Sequence, residues 1–488
     1  MRRSRLLLDM VDLRRDAAVP LHRQLYESLR RQILDGRLPA RTRLPASRQL
    51  AEDLQVSRNT VIAAYDALQA EGYLDAITGS GTRVALLPAS PARSRAGRPA
   101  PDLPRLSARG QLMAKQPRDQ TIPNRIAFHP GYPEIASFPF STWSGLLAAT
   151  MRDARGDLFG YHEYGGHPRL RVAVAEHLAV SRGVTCDPEQ VIIVAGAQAA
   201  LDLIGRLFMD PGDHFWLEEP GYLGALSAFV AAGGRPVPLR VGPDGWHLDE
   251  GDRPPPRLIF VTPSCQWPLT LVMPTDARLD LLRLAEAHDA WIVEDDYDSE
   301  YRYRGHPIPA MQGFDDAGRV IYIGTLSKTM FPALRVGYLV VPRTLVECFK
   351  TAVKIGGQHP PLFVQLALAD FIGRGFLATH LRRTRRLYAR RQRDFVAACR
   401  ERLDRWVTVN EAETGMQVLG RLRQPRPDAE VHAAALRHGV DFSRLSIQYW
   451  RSAPEQGMLI GYAGIPQEQA RQGIERLRAA FEELDAAA

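Results

Sequence analysis

Near its start the chain carries a period of four. Leu21, Leu25, Leu29 and Ile33 recur at that spacing with polar residues between them, and Gly36 follows as a stop. One amphipathic helix is therefore predicted. A second, short helix fits Ser47 to Leu54, and "LQV" makes a tight turn after it. Ser57 then stands as an N-cap for a third helix, with Val61, Tyr65 and Leu68 inward and Gly72 as the C′ residue. Tyr73-Leu74, the turn Thr78-Gly79-Ser80-Gly81 and Thr82-Arg83-Val84 read as a short hairpin.

The period then vanishes. Residues 85–125 are rich in Pro, Ala, Arg and Ser with no sustained apolar repeat, which is the composition of a linker. As a flexible coil such a segment spans roughly 35 Å r.m.s.. From about residue 126 short apolar runs take over: "QVIIVAGAQ", "HFWLEEPGY", "RLIFVTPS", "AWIVEDDYDSEY", "RVIYIGTLSK" and "GYLVVP". Most are separated by helical stretches such as Asp276–His288. Strands alternating with helices imply a mostly parallel sheet with ligand sites at the strand carboxyl ends. The pattern divides the chain into 1–84, 85–125 and 126–488.

Length agrees with the division, because 488 residues exceed one ordinary core. Charge sharpens it. Residues 1–84 carry 14 Arg against 10 acids, 85–125 carry 8 basic residues against 2 acids, and the remainder sums to −3. Positive charge gathered at one end points to a polyanion partner there. No apolar run approaches the ~20 residues of a membrane span. In "MRRSRLLLDMVDLRR" the "LLL" is too short for a secretory core and Asp9 and Asp12 follow it, so a cytoplasmic protein without a membrane partner is expected. Cys186, Cys265, Cys348 and Cys399 lie far apart without metal-ligand spacing, and are expected to be reduced thiols with no metal.

Helix, helix–turn–helix and hairpin is the order of a winged helix-turn-helix, whose third helix enters the major groove. At its start "SRNT" offers a hydroxyl, a guanidinium and a carboxamide, the groups that read phosphates and base edges. The plain alternative is a cap, Ser57, followed by two solvated side chains. In the third segment Lys328 is one of only four lysines, beside Lys115, Lys350 and Lys354, in a chain with 62 Lys and Arg together. It follows the strand "RVIYI" and so projects at a strand end. Arginine cannot form a Schiff base there, because its guanidinium stays protonated. "WIVEDDYDSEY" places acids at another strand end, where Asp295 or Asp296 could protonate a pyridine nitrogen and Tyr297 could bond a ring oxygen. "VAGAQAAL" runs a strand through a Gly/Ala turn into a helix, a cradle fit for a phosphate. Tyr222 in "EEPGY" is placed to stack on a ring, although a lone aromatic is more often core.

The N-terminal segment resembles the winged helix-turn-helix of GntR-type regulators, through "LPASRQLA", "VSRNTV", "EGYL" and "GSGT". That resemblance implies DNA contacts by Arg48, Ser57, Arg58, Asn59 and the wing residue Gly79. From residue 126 onward the chain resembles the α/β fold-type I aminotransferases. Through "YHEYGGHPRLRVAVAEHL", "EEPGY", "VEDDYDSEYRY" and "GTLSKTMFPALRVGY" the whole chain resembles the MocR type of GntR regulators. The resemblance implies pyridoxal 5′-phosphate held as an internal aldimine on Lys328, with Asp295 on the pyridine nitrogen, Tyr297 on the 3-oxygen and Tyr222 stacked on the ring. Gly196, Ala197 and Gln198 would line the phosphate cup, with Thr325 and Arg335 on its far side. It also implies a homodimer acting on double-stranded operator DNA under a small-molecule amine or amino-acid effector.

Four positions depart from the family pattern. Arg41 stands where Gly is usual, Ile77 where the wing usually has Arg, Cys265 for a His, and Thr270 for a Gly. Loss of a glycine restricts φ > 0, and loss of an imidazole removes a proton carrier. Arg444 and Arg451 are candidates for binding an effector carboxylate. Two readings follow: a regulator that senses an amine, an amino acid or pyridoxal phosphate itself through Lys328, or a working aminotransferase with an accessory DNA-binding domain.

Overall fold

The computed structural model describes residues 11, 13–77, 81–86, 106–107, 109–111, 126–153, 158, 160, 164–249, 251–305 and 308–486. It divides into two compact units, Met1–Arg105 and Leu106–Ala488.

The first unit holds three helices, α1 (Leu21–Leu34), α2 (Ser47–Asp53) and α3 (Arg58–Ala70), and a hairpin of β1 (Leu74–Ile77) and β2 (Gly81–Val84). The period-four residues Leu25, Leu29 and Ile33 are buried against Leu50, Val61, Leu68 and Leu74. Each helix stops where the sequence predicts: α1 before Gly36 and α3 before Gly72, both with φ near +70°. Arg41 also adopts positive φ, +65°, a backbone that glycine takes without strain. Its N–H donates to the Val84 carbonyl at 2.8 Å, which ties this loop to the hairpin.

The second unit is built on two sheets. Its larger sheet comprises β4 (Val191–Val194), β5 (His214–Glu219), β6 (Arg235–Gly242), β7 (Gly245–Trp246), β8 (Leu258–Val261), β9 (Trp291–Asp296), β10 (Val320–Thr325) and β11 (Gly337–Val340). Their order is β4-β11-β10-β9-β8-β5-β6-β7. The run from β10 to β6 is parallel, while β11 lies antiparallel between β4 and β10. Strands β4 and β8 are buried at every position, as expected where helices cover both faces. Those helices include α4 (Phe140–Asp153), α5 (Pro168–Arg182), α6 (Ala197–Phe208), α7 (Leu223–Ala231), α8 (Thr275–Ala287), α9 (Val346–Gly356) and α10 (Leu362–Gly373).

A long helix, α11 (Phe376–Leu403), leads to the smaller sheet. That sheet combines β3 (Ile126–Phe128) with β12 (Val407–Val409), β13 (Gln417–Leu422), β14 (Val440–Arg444) and β15 (Gly457–Gly461), in the order β12-β13-β15-β14-β3. Helices α12 (Asp428–Arg437) and α13 (Gln467–Ala486) complete it. The sequence pattern did not announce this second sheet. Among the described residues no single helix is long and apolar enough to cross a membrane.

Candidate functional site

In the first unit the candidate face is the start of α3. Ser57 is its N-cap, and its hydroxyl accepts the Thr60 N–H at 3.1 Å. Arg58, Asn59 and Arg48 are exposed. The Arg58 Nε reaches the Ser47 hydroxyl at 3.5 Å, so α2 and α3 present their leading residues together. Free N–H groups and the positive helix terminus favour an anion at this end. Gly79 lies outside the described residues. Arg43 was not foreseen: it is exposed, and a Cβ on Gly81 would lie 3.1 Å from its Nε. It adds a cation beside the hairpin.

In the second unit a cleft of about 890 Å³ opens at the carboxyl ends of the parallel strands. It brings together Ala197, Gln198, Tyr222, Asp295, Tyr297, Thr325, Lys328 and Arg335, with Thr262, Trp267, Ser327 and Pro332. Gly196 sits at its edge as the N-cap of α6, with φ +94°. Close packing explains why that turn and its neighbour are glycines. Gly337 begins β11 opposite Val194, and a Cβ there would lie 2.9 Å from the Gly196 Cα. Arg335 holds a left-handed φ of +51°, and its guanidinium carbon lies 3.6 Å from where a Gly196 Cβ would be. Amide groups at the start of α6 and the exposed Arg335 guanidinium thus bound an anion-sized cradle.

Strand β9 shows how two adjacent aspartates part company. Successive side chains point to opposite sheet faces. Asp296 turns inward, where one oxygen pairs with the Arg182 Nε at 2.6 Å and accepts the Tyr322 hydroxyl at 2.6 Å. Glu294, on the same face, accepts the Met311 and Gln312 amides at 2.8 and 3.0 Å. Asp295 faces the cleft instead. It is 5% exposed, and its Oδ1 has no hydrogen-bond partner among the described residues. Burial, reinforced by the Asp296 charge, raises its carboxyl to about 7, although Lys328 opposes the shift. A buried carboxylate of this kind is stabilised by a cationic partner.

Lys328 follows β10, and its Nζ donates to the Gly131 carbonyl at 2.9 Å. A Cβ on Gly131 would lie 2.6 Å from that Nζ, so glycine is required for the lysine to sit there. Tyr297 donates its hydroxyl to the Cys265 carbonyl at 2.9 Å, and that hydroxyl oxygen accepts from the Gln417 amide of β13 at 3.4 Å. Burial and the nearby Asp298 charge hold that hydroxyl protonated well above the ordinary phenol range. The contact uses the backbone of Cys265. Replacing an imidazole at this position therefore leaves the anchor of Tyr297 intact. Burial likewise holds the Cys265 thiol protonated.

Two buried glutamates shape the loops around the cleft. Glu218 accepts the Thr262 amide and hydroxyl at 3.2 and 2.6 Å and the Trp246 indole at 2.7 Å. Glu219 accepts the amides of Trp450, Arg451 and Ser452 at 3.2, 2.6 and 2.9 Å, which pins a loop of the smaller sheet to β5. Thr270 holds φ +59° in the loop between β8 and α8, an unusual backbone for a β-branched residue. Neither Arg444 nor Arg451 lines the cleft. Thr262 and Trp267 do line it and were missed, although both lie in the loop already marked by Cys265 and Thr270. As a set, the cleft suits a phosphorylated aromatic cofactor with a basic ring nitrogen and an amine-reactive carbon.

Comparison with known proteins addresses both units. Residues 21–84 match the family model "Bacterial regulatory proteins, gntR family", and residues 141–477 match "Aminotransferase class I and II". Over 98% of this chain and 97% of the relative, it is 58% identical to the "Probable rhizopine catabolism regulatory protein MocR" of Rhizobium meliloti. It is 34% identical to the "HTH-type pyridoxine biosynthesis transcriptional regulator PdxR" of Corynebacterium glutamicum, over 76% of each chain. Among solved structures, the α-aminoadipate aminotransferase LysN of Thermus thermophilus, complexed with N-(5′-phosphopyridoxyl)-L-leucine, superimposes with a TM-score of 0.69. It is 28% identical, covering 75% of this chain and 94% of that one.

Proposed function

The chain belongs to the MocR-type regulators, a GntR helix-turn-helix joined to an aminotransferase-like domain, and from that premise we propose that its cleft binds pyridoxal 5′-phosphate and senses an amine through Lys328. The observation that carries the reading is Asp295: buried, partly unpartnered and in one cleft with the only lysine that lines it among the described residues. When bound, pyridoxal phosphate supplies an electrophilic carbon that exchanges one primary amine for another.

The remaining roles belong to the protein. The turn at Gly196, Ala197 and Gln198, with Thr325 and Arg335, holds the phosphate. Asp295 stabilises a protonated ring nitrogen, and that cation in turn lets Asp295 stay ionised. Tyr297 keeps its proton and turns its hydroxyl from the Cys265 carbonyl to hydrogen-bond the ring oxygen, and Tyr222 covers one ring face. Lys328 presents the amine that an effector displaces. The protein acts as a homodimer on double-stranded operator DNA in the cytoplasm, reading it with Arg48, Ser57, Arg58, Asn59 and Gly79 of a domain within residues 1–84. The linker spans 85–125 and the sensor 126–488. Effector binding regulates transcription through differential affinity for two arrangements of that dimer. Similarity to a probable rhizopine catabolism regulatory protein makes rhizopine catabolism the first place to seek the effector and operator.

The test is a titration of purified protein with amines, amino acids and pyridoxal phosphate, following visible absorbance and operator affinity together. Coupled changes in both support the sensor. Rapid amino-acid/keto-acid turnover with no DNA binding would overturn it in favour of an aminotransferase, a reading that the complete set of cleft residues also serves.

A further inference from the structure

The cleft and the helix-turn-helix leave one strongly charged surface unused. Helix α11 carries nine arginines against two acids, Asp394 and Glu401, in 28 residues. Outside it, residues 126–488 hold 31 basic side chains against 41 acidic ones. Basic charge is therefore concentrated on a single helix of an otherwise acidic region.

The buried face of α11 is occupied by Leu381, Thr384, Tyr388, Gln392 and Phe395. Four arginines serve the fold. Arg385 donates to the Glu300 carbonyl at 2.7 Å, and Arg391 pairs with Glu134 at 2.5 Å. Arg400 donates to the Asn410 side-chain oxygen at 3.5 Å, and Arg402 pairs with Glu475 at 3.3 Å. Arg382, Arg386, Arg390 and Arg393 do not. They follow one another at steps of four, four and three, so they share one helix face. All four are exposed, and none forms an ion pair among the described residues. Like charges at i,i+4 destabilise a helix. Among the described residues no acid pairs with them: Asp394, four residues after Arg390, instead accepts from the Gln467 amide at 3.0 Å.

Helix α13 shows that this is not simply how the chain writes its helices. Its Arg478 pairs with Glu475 at 3.1 Å and with Glu482 at 3.3 Å. The unrelieved row on α11 extends about 16 Å at 1.5 Å per residue. Duplex DNA presents about one charge per 1.7 Å of its axis, and guanidinium forks match phosphate oxygens. We propose that Arg382, Arg386, Arg390 and Arg393 form a second DNA contact, which binds the phosphate backbone independently of sequence. The proposal rests on the regulator reading, which makes duplex DNA this protein's polyanion partner.

The experiment compares the full-length protein with the variant R382Q/R386Q/R390Q/R393Q on the operator embedded in long and short flanks. Affinity is measured over a range of salt. The variant should bind the long duplex about tenfold more weakly near 0.15 M salt, with a log–log salt slope reduced by roughly two to four. Preference for operator over scrambled sequence and visible absorbance should not change. The pairs R382Q/R386Q and R390Q/R393Q should each give about half the effect, four Arg→Lys changes should retain the slope, and R471Q/R478Q on α13 should change nothing. An unchanged salt slope and affinity in the quadruple variant overturn the proposal. Loss of binding to vesicles rich in phosphatidylserine, with DNA binding intact, overturns it in favour of a membrane surface. Absence of sequence-selective DNA binding in the unmodified protein would instead overturn the regulator reading.

Discussion

At the start of α3 the candidate residues are exposed: Arg58 reaches the Ser47 hydroxyl at 3.5 Å, and Asn59 is exposed to solvent. In the cleft, Asp295 is 5% exposed and its carboxyl is driven up to about 7. One surface keeps its charges hydrated until a partner displaces water and counterions. The other has already lost its hydration on folding, and so has a standing electrostatic demand for a partner. Salt should therefore control the first and pH the second.

The largest effect expected is that of Lys328→Ala, which removes the amine on which the cofactor reading depends. Purified variant should lose all visible absorbance after gel filtration while its fold, judged by circular dichroism, is retained. A persistent band would show that another group holds the chromophore. Arg58→Ala comes next. It should weaken operator binding by about 1–3 kcal/mol, roughly 5- to 150-fold, and leave the absorbance spectrum unchanged. An altered spectrum would break the contrast, because it would mean the two surfaces are coupled.

Smaller is the pH response of the cofactor-free protein. Asp295 binds its proton more tightly folded than unfolded, where a carboxyl titrates near 4. The folded state thus holds more protons between pH 4 and about 7. Stability from this group is present below that window and is lost as pH rises through it. Glu218, which burial also raises to about 7, acts in the same direction. Melting temperature should fall by about 1–3 °C more in the unmodified protein than in Asp295→Asn between pH 5 and 8. Added pyridoxal phosphate should cancel the difference. Equal pH profiles in its absence would show that Asp295 is not under the strain described.

The smallest effect tests Thr270. Its φ of +59° costs on the order of 1–3 kcal/mol, against which glycine loses roughly 0.5–1 kcal/mol of chain entropy. Thr270→Gly should therefore stabilise the protein by about 1 kcal/mol in urea unfolding. A neutral or destabilising result would assign the threonine side chain a compensating contact.

Much of both surfaces was legible in the sequence. The three N-terminal helices and their stops depend on local signals, a four-residue period and glycines with positive φ, and each appears within a residue or two of its expected place. Lys328, Tyr222 and Tyr297 could be named because strand ends are the natural ligand sites of a parallel sheet. The smaller sheet was invisible, because β3 pairs with β14 across more than 300 residues and no local period signals such a pairing. Trp267 and Thr262 were missed for a related reason: loop residues show no periodicity, and only their packing around Glu218 and Tyr297 turns them toward the cleft.

The pair Asp295-Asp296 marks where the two kinds of information divide. Sequence by itself determined that a strand ends in acids and that a lone lysine follows the next one, because apolar runs and residue types are local properties. Residue spacing left both aspartates open, and tertiary structure turns Asp295 rather than Asp296 into the cleft. Arg182 and Tyr322, distant in sequence, neutralise Asp296 on one face of β9, and the strand's alternation leaves Asp295 buried on the other without an equivalent partner. Charge demand of that kind arises only when folding removes water from one group and supplies a counterion to its neighbour.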